Sequence, residues 1–310
     1  MKPARFEYTA PRSVEEAIEE LRRSDGDAKI LAGGQSLVPL LNMRLATPAR
    51  LVDLNRVPEL RYMAERDGGI AIGAMSRQRA VERDQGVAAR VPLLAEAIRW
   101  VGHPAIRNRG TVGGSIAHGD PAAELSAVAV CLDARATIRG SRGERSVAAE
   151  ELYLGYMVTT LEPDEVLTEV WFPAVSPNTG QAWIEFARRH GDFAIVGVGV
   201  SLTLHGDTVG EARLALTGVG GTPVRARAAE GLLAGGPLDG ERLRAAVEAV
   251  RAAIEPDTDI HASAEYRRHL AGVLTERAVR LAHGRALEAS GQGPAALDIR
   301  RSLEEMGRHA

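Results

Sequence analysis

Residues 28–55 read AKILAGGQSLVPLLNMRLATPARLVDLN, and the order of signals along this stretch decides the fold class. AKIL is an apolar run of strand length, read as buried. Gly33 and Gly34 end it, and SLVPLLNMRLA then has helical spacing, with Pro39 in the first turn where a missing N–H costs little. RLVDLN returns as a second short strand. A strand, a glycine turn and a helix in succession mark a mixed chain with a turn able to hold a ligand. Upstream, Ser13 and Glu16 make a capping box ahead of Ala17, Ile18 and Leu21.

Working outward toward the C-terminus, GGIAIGAM (68–75) alternates like a strand and PLLAEAIRWV (92–101) reads as a helix with Pro92 at its start. RNRGTVGGSIAHGDPAAELSAVAVCL (107–132) reads as a glycine-rich loop leading into one helix. ATIRG and RSVAA are expected to pair across the SRGE turn, and VLTEVWFP (166–173) closes the section as a strand stopped by Pro173. Beyond the loop PAVSPNTG the pattern changes to long antiparallel strands at 181–189, 194–206 and 212–220. Helices follow at RARAAEGLLAG, ERLRAAVEAVRAAI and SAEYRRHLAGVLTERAVRLA. The shift places a boundary near residue 175, and no internal repeat or low-complexity tract occurs.

The composition narrows the function classes. The chain has 310 residues, 45% of them apolar, enough for a core divided between subdomains. With 38 basic and 41 acidic residues the net charge is −3, without the basic excess of a nucleic-acid footprint. No run approaches the roughly 18 apolar residues of a membrane span, and MKPARFEYTAPRS lacks the apolar stretch of a secretory signal, so the expected address is cytoplasmic. The single cysteine, Cys131, lies in the apolar run AVAVCLDA and is expected to be buried. One cysteine cannot hold an iron–sulfur cluster, so any clusters of this system belong to another chain. The histidines have no metal-ligand spacing, and no catalytic Ser/His/Asp order or carboxylate pair stands out; no metal site and no catalytic residue are expected.

Two segments carry the chemistry. Gly33-Gly34-Gln35-Ser36 and Gly113-Gly114-Ser115 each set paired glycines beside a hydroxyl residue, with a helix expected soon after. Glycines let backbone N–H groups approach a ligand, and Ser36, Thr111 and Ser115 can donate further hydrogen bonds. Two such loops suit a diphosphate bridge, although a double glycine before a helix is also an ordinary turn. On this reading Gly33→Val with Gly114→Val would fill the space of a pyrophosphate and leave the fold intact. Neither segment has the GxGxxG spacing of a Rossmann fingerprint or the GxxxxGK[ST] of a P-loop. Asp120, ahead of Pro121, fits a helix N-cap as well as a ligand contact. Glu124 could accept from ribose or ribityl hydroxyls or be a solvated surface residue, and His118 sits where it could touch a cofactor.

AGGQSLVPLLNMRLATPARLVDLN (32–55), GHPAIRNRGTVGGSIAHGDPAAEL (102–125), RRHGDFAIVGVGV (188–200) and SAEYRRHLAGVLTERAV (263–279) resemble the signature stretches of the flavoprotein medium subunits of molybdenum hydroxylases. Aerobic carbon monoxide dehydrogenase, nicotine and purine hydroxylases and the middle part of xanthine dehydrogenase belong to that family. The resemblance runs in order through nearly the whole chain. It implies an α+β fold of the vanillyl-alcohol-oxidase/PCMH type, with FAD-binding subdomains at 1–58 and 59–175, a C-terminal domain of antiparallel sheet and helices at 176–290, and a tail at 291–310.

The resemblance further implies that Ala32, Gly33, Gly34, Gln35, Ser36 and Leu37, with Thr111, Gly113, Gly114 and Ser115, hold the FAD pyrophosphate. Glu124 would lie at the flavin nucleotide and Leu161 near the isoalloxazine ring, while His118 and Asp120 stay candidate contacts on the reading of the residues alone. Phe193 matches a position where a tyrosine can cover one ring face in the carbon monoxide enzyme; phenylalanine keeps the stacking surface and loses the hydroxyl, and simple core packing is its other reading. Arg188, or its neighbour Arg189, is a candidate cation beside reduced flavin. The implied partners are an iron–sulfur small subunit and a molybdopterin large subunit in a dimer of heterotrimers, with an external electron acceptor. The lack of further cysteines argues against the benzoyl-CoA reductase branch, whose flavin subunit carries an extra cluster. The alternatives are a stand-alone flavin oxidase or monooxygenase on the same fold, and a flavin-free scaffold.

Overall fold

The computed structural model describes residues 2–291, so the expected tail lies, apart from Gly291, outside the described residues. The chain divides into two compact units. The first comprises the chain up to Val91, Ile98–Asp120 and Asp133–Ala174; the second comprises Pro92–Ala97, Pro121–Leu132 and the chain from Val175 onward.

In the first unit a small parallel sheet has Arg50–Asp53 at its centre, flanked by Glu7–Thr9 and Ala28–Leu31. The strand Ala28–Leu31, expected to be buried, is therefore an edge strand and only partly covered. Burial falls to the central strand: Val52 packs with Val14, Ala17 and Leu21 from one face of the helix Val14–Arg23, at the apolar spacing of an amphipathic helix. Ser13 Oγ caps that helix, accepting the Glu16 N–H at 3.1 Å, while the Glu16 carboxylate accepts from the Arg12 N–H at 2.7 Å rather than from Ser13. A larger antiparallel sheet runs in the order Met63–Arg66, Gly69–Gly73, Val166–Pro173, Arg135–Gly140, Gly143–Ala148. Its outer hairpin is the expected pairing across the SRGE turn.

The stretch 107–132 departs from expectation. It is not a loop and one helix: Val112–His118 is already helical, Gly119 ends it in the left-handed conformation (φ 63°), and a second helix runs Glu124–Cys131. Gly113 and Gly114 thus sit in a helical first turn, because Thr111 Oγ1 accepts the Gly114 N–H at 3.1 Å and nucleates the turn. Asp120 does not cap the following helix, whose N-cap is Ala123.

The second unit is built on the antiparallel strands Thr179–Phe186, Val196–His205 and Thr208–Thr217; Val224–Arg225 and Gly236–Pro237 both add to the last of these. The helices Arg227–Leu233, Gly240–Ala253 and Ala264–Ala289 supply apolar faces to the same core, among them Leu233, Leu243, Val250 and Leu274. Glu124–Cys131 is buried at every residue, which explains why its sequence is apolar all round instead of amphipathic. Cys131 is wholly covered; its Sγ lies 3.4 Å from the Gly199 carbonyl, and burial pushes the thiol up to about 12. Among the described residues no helix is long and apolar enough to cross a membrane, and no cluster of metal-ligating side chains occurs.

Candidate functional site

The two glycine segments, far apart in sequence, meet in the first unit. A Cβ placed on Gly33 would lie 2.5 Å from the Arg109 carbonyl oxygen and 2.7 Å from Gly110 Cα, and one on Gly114 would lie 2.6 Å from Thr111 Oγ1 and 3.1 Å from Ala32 Cβ. These glycines are small so that one segment can pack on the other. The expectation that valine at 33 and 114 would fill only ligand space is therefore overturned: both side chains would drive into protein.

The segments differ in what their amides do. In the second, the N–H groups of Val112, Gly113, Gly114 and Ser115 donate to Ser76 O, Ala74 O, Thr111 Oγ1 and Thr111 O. In the first, no acceptor among the described residues takes the N–H groups of Gly34, Gln35 or Ser36. Gly34 holds φ at 73°, in the left-handed region that glycine adopts readily. Gln35 folds back onto the Gly33 carbonyl (3.2 Å), and Ser36 is exposed with no capping bond, leaving its hydroxyl available. Leu37 opens the short helix Leu37–Asn42.

The foot of the first segment is fixed by side chains that sequence reasoning missed. Asn55 Nδ2 donates to the Ala32 carbonyl at 2.9 Å and to Asp53 Oδ1 at 2.5 Å. The Tyr8 hydroxyl donates to Asp53 Oδ2 at 2.6 Å, a bond that with partial burial raises the phenol's pKa. Arg77 donates to Asn55 Oδ1 at 2.6 Å and to the Arg109 carbonyl. Ahead of the second segment, buried Arg107 pairs with Glu82 at 2.9 Å and donates to the carbonyls of Val101 and Gly102. Asn55 stands in a quoted signature stretch, a weak signal; Arg77 carries none.

The other predicted residues fall in different surroundings. His118 and Ser115 are half-buried on the helix Val112–His118. Its end is covered by a hairpin, where Met157 N–H donates to the Gly119 carbonyl at 3.2 Å, and half-buried Leu161 follows that hairpin. Asp120 is half-buried at the end of this part of the unit. Glu124, Arg188 and Phe193 belong to the second unit. Glu124 is 6% exposed, which overturns its reading as a solvated surface residue. Pro121 and Ala123, just ahead of it, accept from Thr217 Oγ1 at 2.6 and 3.2 Å. Phe193 is 69% exposed, so it is not core packing; it stands out from the loop between the first two long strands, where Arg188 and Arg189 are also exposed. On the same sheet, burial lifts the Glu185 carboxyl to about 7, while the Trp183 indole N–H donates to its Oε2 at 3.1 Å.

An α+β unit in which the amides of one glycine segment are taken by no described residue has backbone donors to offer an anionic group. Residues 4–175 match the FAD binding domain in molybdopterin dehydrogenase, and residues 181–282 match the CO dehydrogenase flavoprotein C-terminal domain. The chain is 42% identical to the 6-hydroxypseudooxynicotine dehydrogenase complex subunit alpha of Paenarthrobacter nicotinovorans, over 92% of this chain and 97% of that one. It is 40% identical to the carbon monoxide dehydrogenase medium chain of Hydrogenophaga pseudoflava, over 92% and 99%. A solved structure of carbon monoxide dehydrogenase from that organism superposes with a TM-score of 0.90, covering 92% of this chain and 99% of that one. The chain belongs to the FAD-binding flavoprotein subunits of the molybdenum hydroxylases. It is an oxidoreductase subunit with FAD as its cofactor and the α+β fold of the vanillyl-alcohol-oxidase/PCMH type with a C-terminal sheet-and-helix domain.

Proposed function

We propose that this chain is the electron-transfer station of a carbon monoxide dehydrogenase-like enzyme, receiving electrons from iron–sulfur clusters of a small partner subunit and handing them to an external acceptor. A molybdopterin large subunit completes the assembly as a dimer of heterotrimers in the cytoplasm. The observation that carries the reading is that no described residue takes the N–H groups of Gly34, Gln35 and Ser36, in a segment whose Gly34 is left-handed. Bound FAD supplies a redox centre that exchanges electrons singly with clusters and in pairs with an acceptor.

The protein's own residues bind and orient. Ala32, Gly33, Gly34, Gln35, Ser36 and Leu37 are assigned to the diphosphate, with the Ser36 hydroxyl adding a donor. Thr111, Gly113, Gly114 and Ser115 are assigned to the same diphosphate through the segment that they brace, and the Ser115 hydroxyl proton remains to donate. His118 and Asp120 are assigned to the ribityl side and Leu161 to the ring. In the second unit Glu124 is assigned to nucleotide hydroxyls, Phe193 to a ring face and Arg188 to the negative charge of reduced flavin. Residues 1–58 and 59–175 are taken as the two FAD subdomains and 176–290 as the C-terminal domain.

The test is a visible absorption spectrum of the purified chain, with the cofactor released and identified by chromatography. Flavin bands and FAD are expected, with no hydroxylase turnover until the iron–sulfur and molybdenum subunits are added. Substrate-dependent bleaching by the single chain would overturn the partner requirement in favour of a stand-alone oxidase, and a colourless chain that refuses FAD would overturn the proposal.

A further inference from the structure

The backbone of Arg77 is pinned to the second glycine segment: it bridges to Thr111, and the neighbouring Gln78 N–H donates to the Gly110 carbonyl at 2.9 Å. From that fixed point the guanidinium reaches two acceptors at once. One nitrogen donates to the Arg109 carbonyl, the atom that packs against Gly33. The other donates to Asn55 Oδ1 at 2.6 Å, and Asn55 passes the connection to the Ala32 carbonyl at 2.9 Å. Arg77 is thus tied to residues on both sides of the contact between the segments. Burial and the nearby charges of Arg61 and Arg109 oppose its charge, with Asp53 the compensating anion. A cation retained there against those costs is held by its two hydrogen-bonded arms.

We propose that Arg77 is a positioning residue for FAD: its fork clamps the two glycine segments together, so that the amides of Gly34, Gln35 and Ser36 meet the diphosphate as a preformed set. The inference rests on the reading of that segment as the diphosphate holder. A clamp of this kind acts through geometry, because a donor set already fixed before binding loses less freedom when the ligand arrives. Lysine keeps the charge but cannot reach two acceptors in one plane.

The experiment uses the full chain stripped of flavin, with FAD affinity read by flavin fluorescence quenching, ADP as a competitor, and the melting temperature of each apoprotein. Arg77→Lys and Asn55→Ala are each expected to weaken FAD about tenfold or more, with ADP weakened in parallel and melting lowered by only a few degrees. Arg77→Met is expected to match Arg77→Lys; if the methionine variant does not fold, the lysine and Asn55 variants decide. Wild-type affinity in Arg77→Lys would show that charge suffices and overturn the clamp. A loss for FAD without a loss for ADP would overturn it too, by moving the effect away from the diphosphate. If the wild-type chain itself takes up no FAD or ADP, the parent reading fails and the inference with it; wild-type uptake with unaffected variants sinks the inference alone.

Discussion

Gly33–Ser36 and Thr111–Ser115 carry the same residue types, paired glycines beside hydroxyls, yet the structure uses them in opposite ways. The second segment spends its amides on the protein, through the Thr111 cap and the carbonyls of Ser76 and Ala74. In the first, no acceptor among the described residues takes the amides of Gly34, Gln35 and Ser36. A glycine pair therefore does not by itself identify a ligand loop; what distinguishes the two is whether a neighbouring side chain or strand has already taken the donors. Thr111 lies two residues before Gly113 and can cap, whereas the residue at the same offset before Gly33 is Leu31, which cannot.

The contrast can be broken first at Gly33. Gly33→Val forces a side chain into the backbone at Arg109 and Gly110, and should cost more than about 3 kcal/mol, lowering apoprotein melting by about 6–12 °C and abolishing FAD retention. An unchanged melting curve would mean that the segments do not pack on each other. A control outside both segments is Glu185, whose folded-state pKa is raised. Its neutral form is favoured in the fold, so its contribution is fully present below the ordinary carboxylate range and is lost as pH rises toward and past about 7. Glu185→Gln should remove a decline on the order of 3 kcal/mol between about pH 4 and pH 8, read as urea midpoints against pH. If the decline persists in the variant, its source lies elsewhere.

Smaller effects sharpen the comparison. Thr111→Ala removes a cap worth about 1 kcal/mol, so melting should drop by about 2–4 °C while FAD affinity changes little. Ser36→Ala should do the reverse: no change in melting, and about fivefold weaker FAD by equilibrium titration, the worth of one hydrogen bond. Equal signatures from the two variants would erase the distinction between bracing and donating segments.

Much of this was legible in the sequence. The strand, glycine turn and helix that follow residue 28 are read from local apolar spacing, although the helix stops at Asn42 and does not run on through Ala46, and the change of pattern near residue 175 follows from the appearance of long alternating strands. The helix Val112–His118 was hidden because two glycines argue against a helix, and only the Thr111 cap and the left-handed Gly119 make the turn stable between them. The edge position of Ala28–Leu31 depends on pairing partners that no local pattern specifies. Asn55 and Arg77 were invisible for a related reason: they act on carbonyls of Ala32 and Arg109, more than twenty residues away, and any residue type can supply a carbonyl.

The buried thiol of Cys131 has a practical consequence. It is the chain's single cysteine, and with no exposed surface and an ionisation pushed far above neutral it presents no thiolate to alkylating or spin-labelling reagents in the folded state. Any cysteine engineered onto the surface, for instance at exposed Leu154, becomes a unique attachment point in the wild-type background. A paramagnetic or fluorescent probe placed there reports from one address, so distances to redox centres can be mapped without first removing a native thiol.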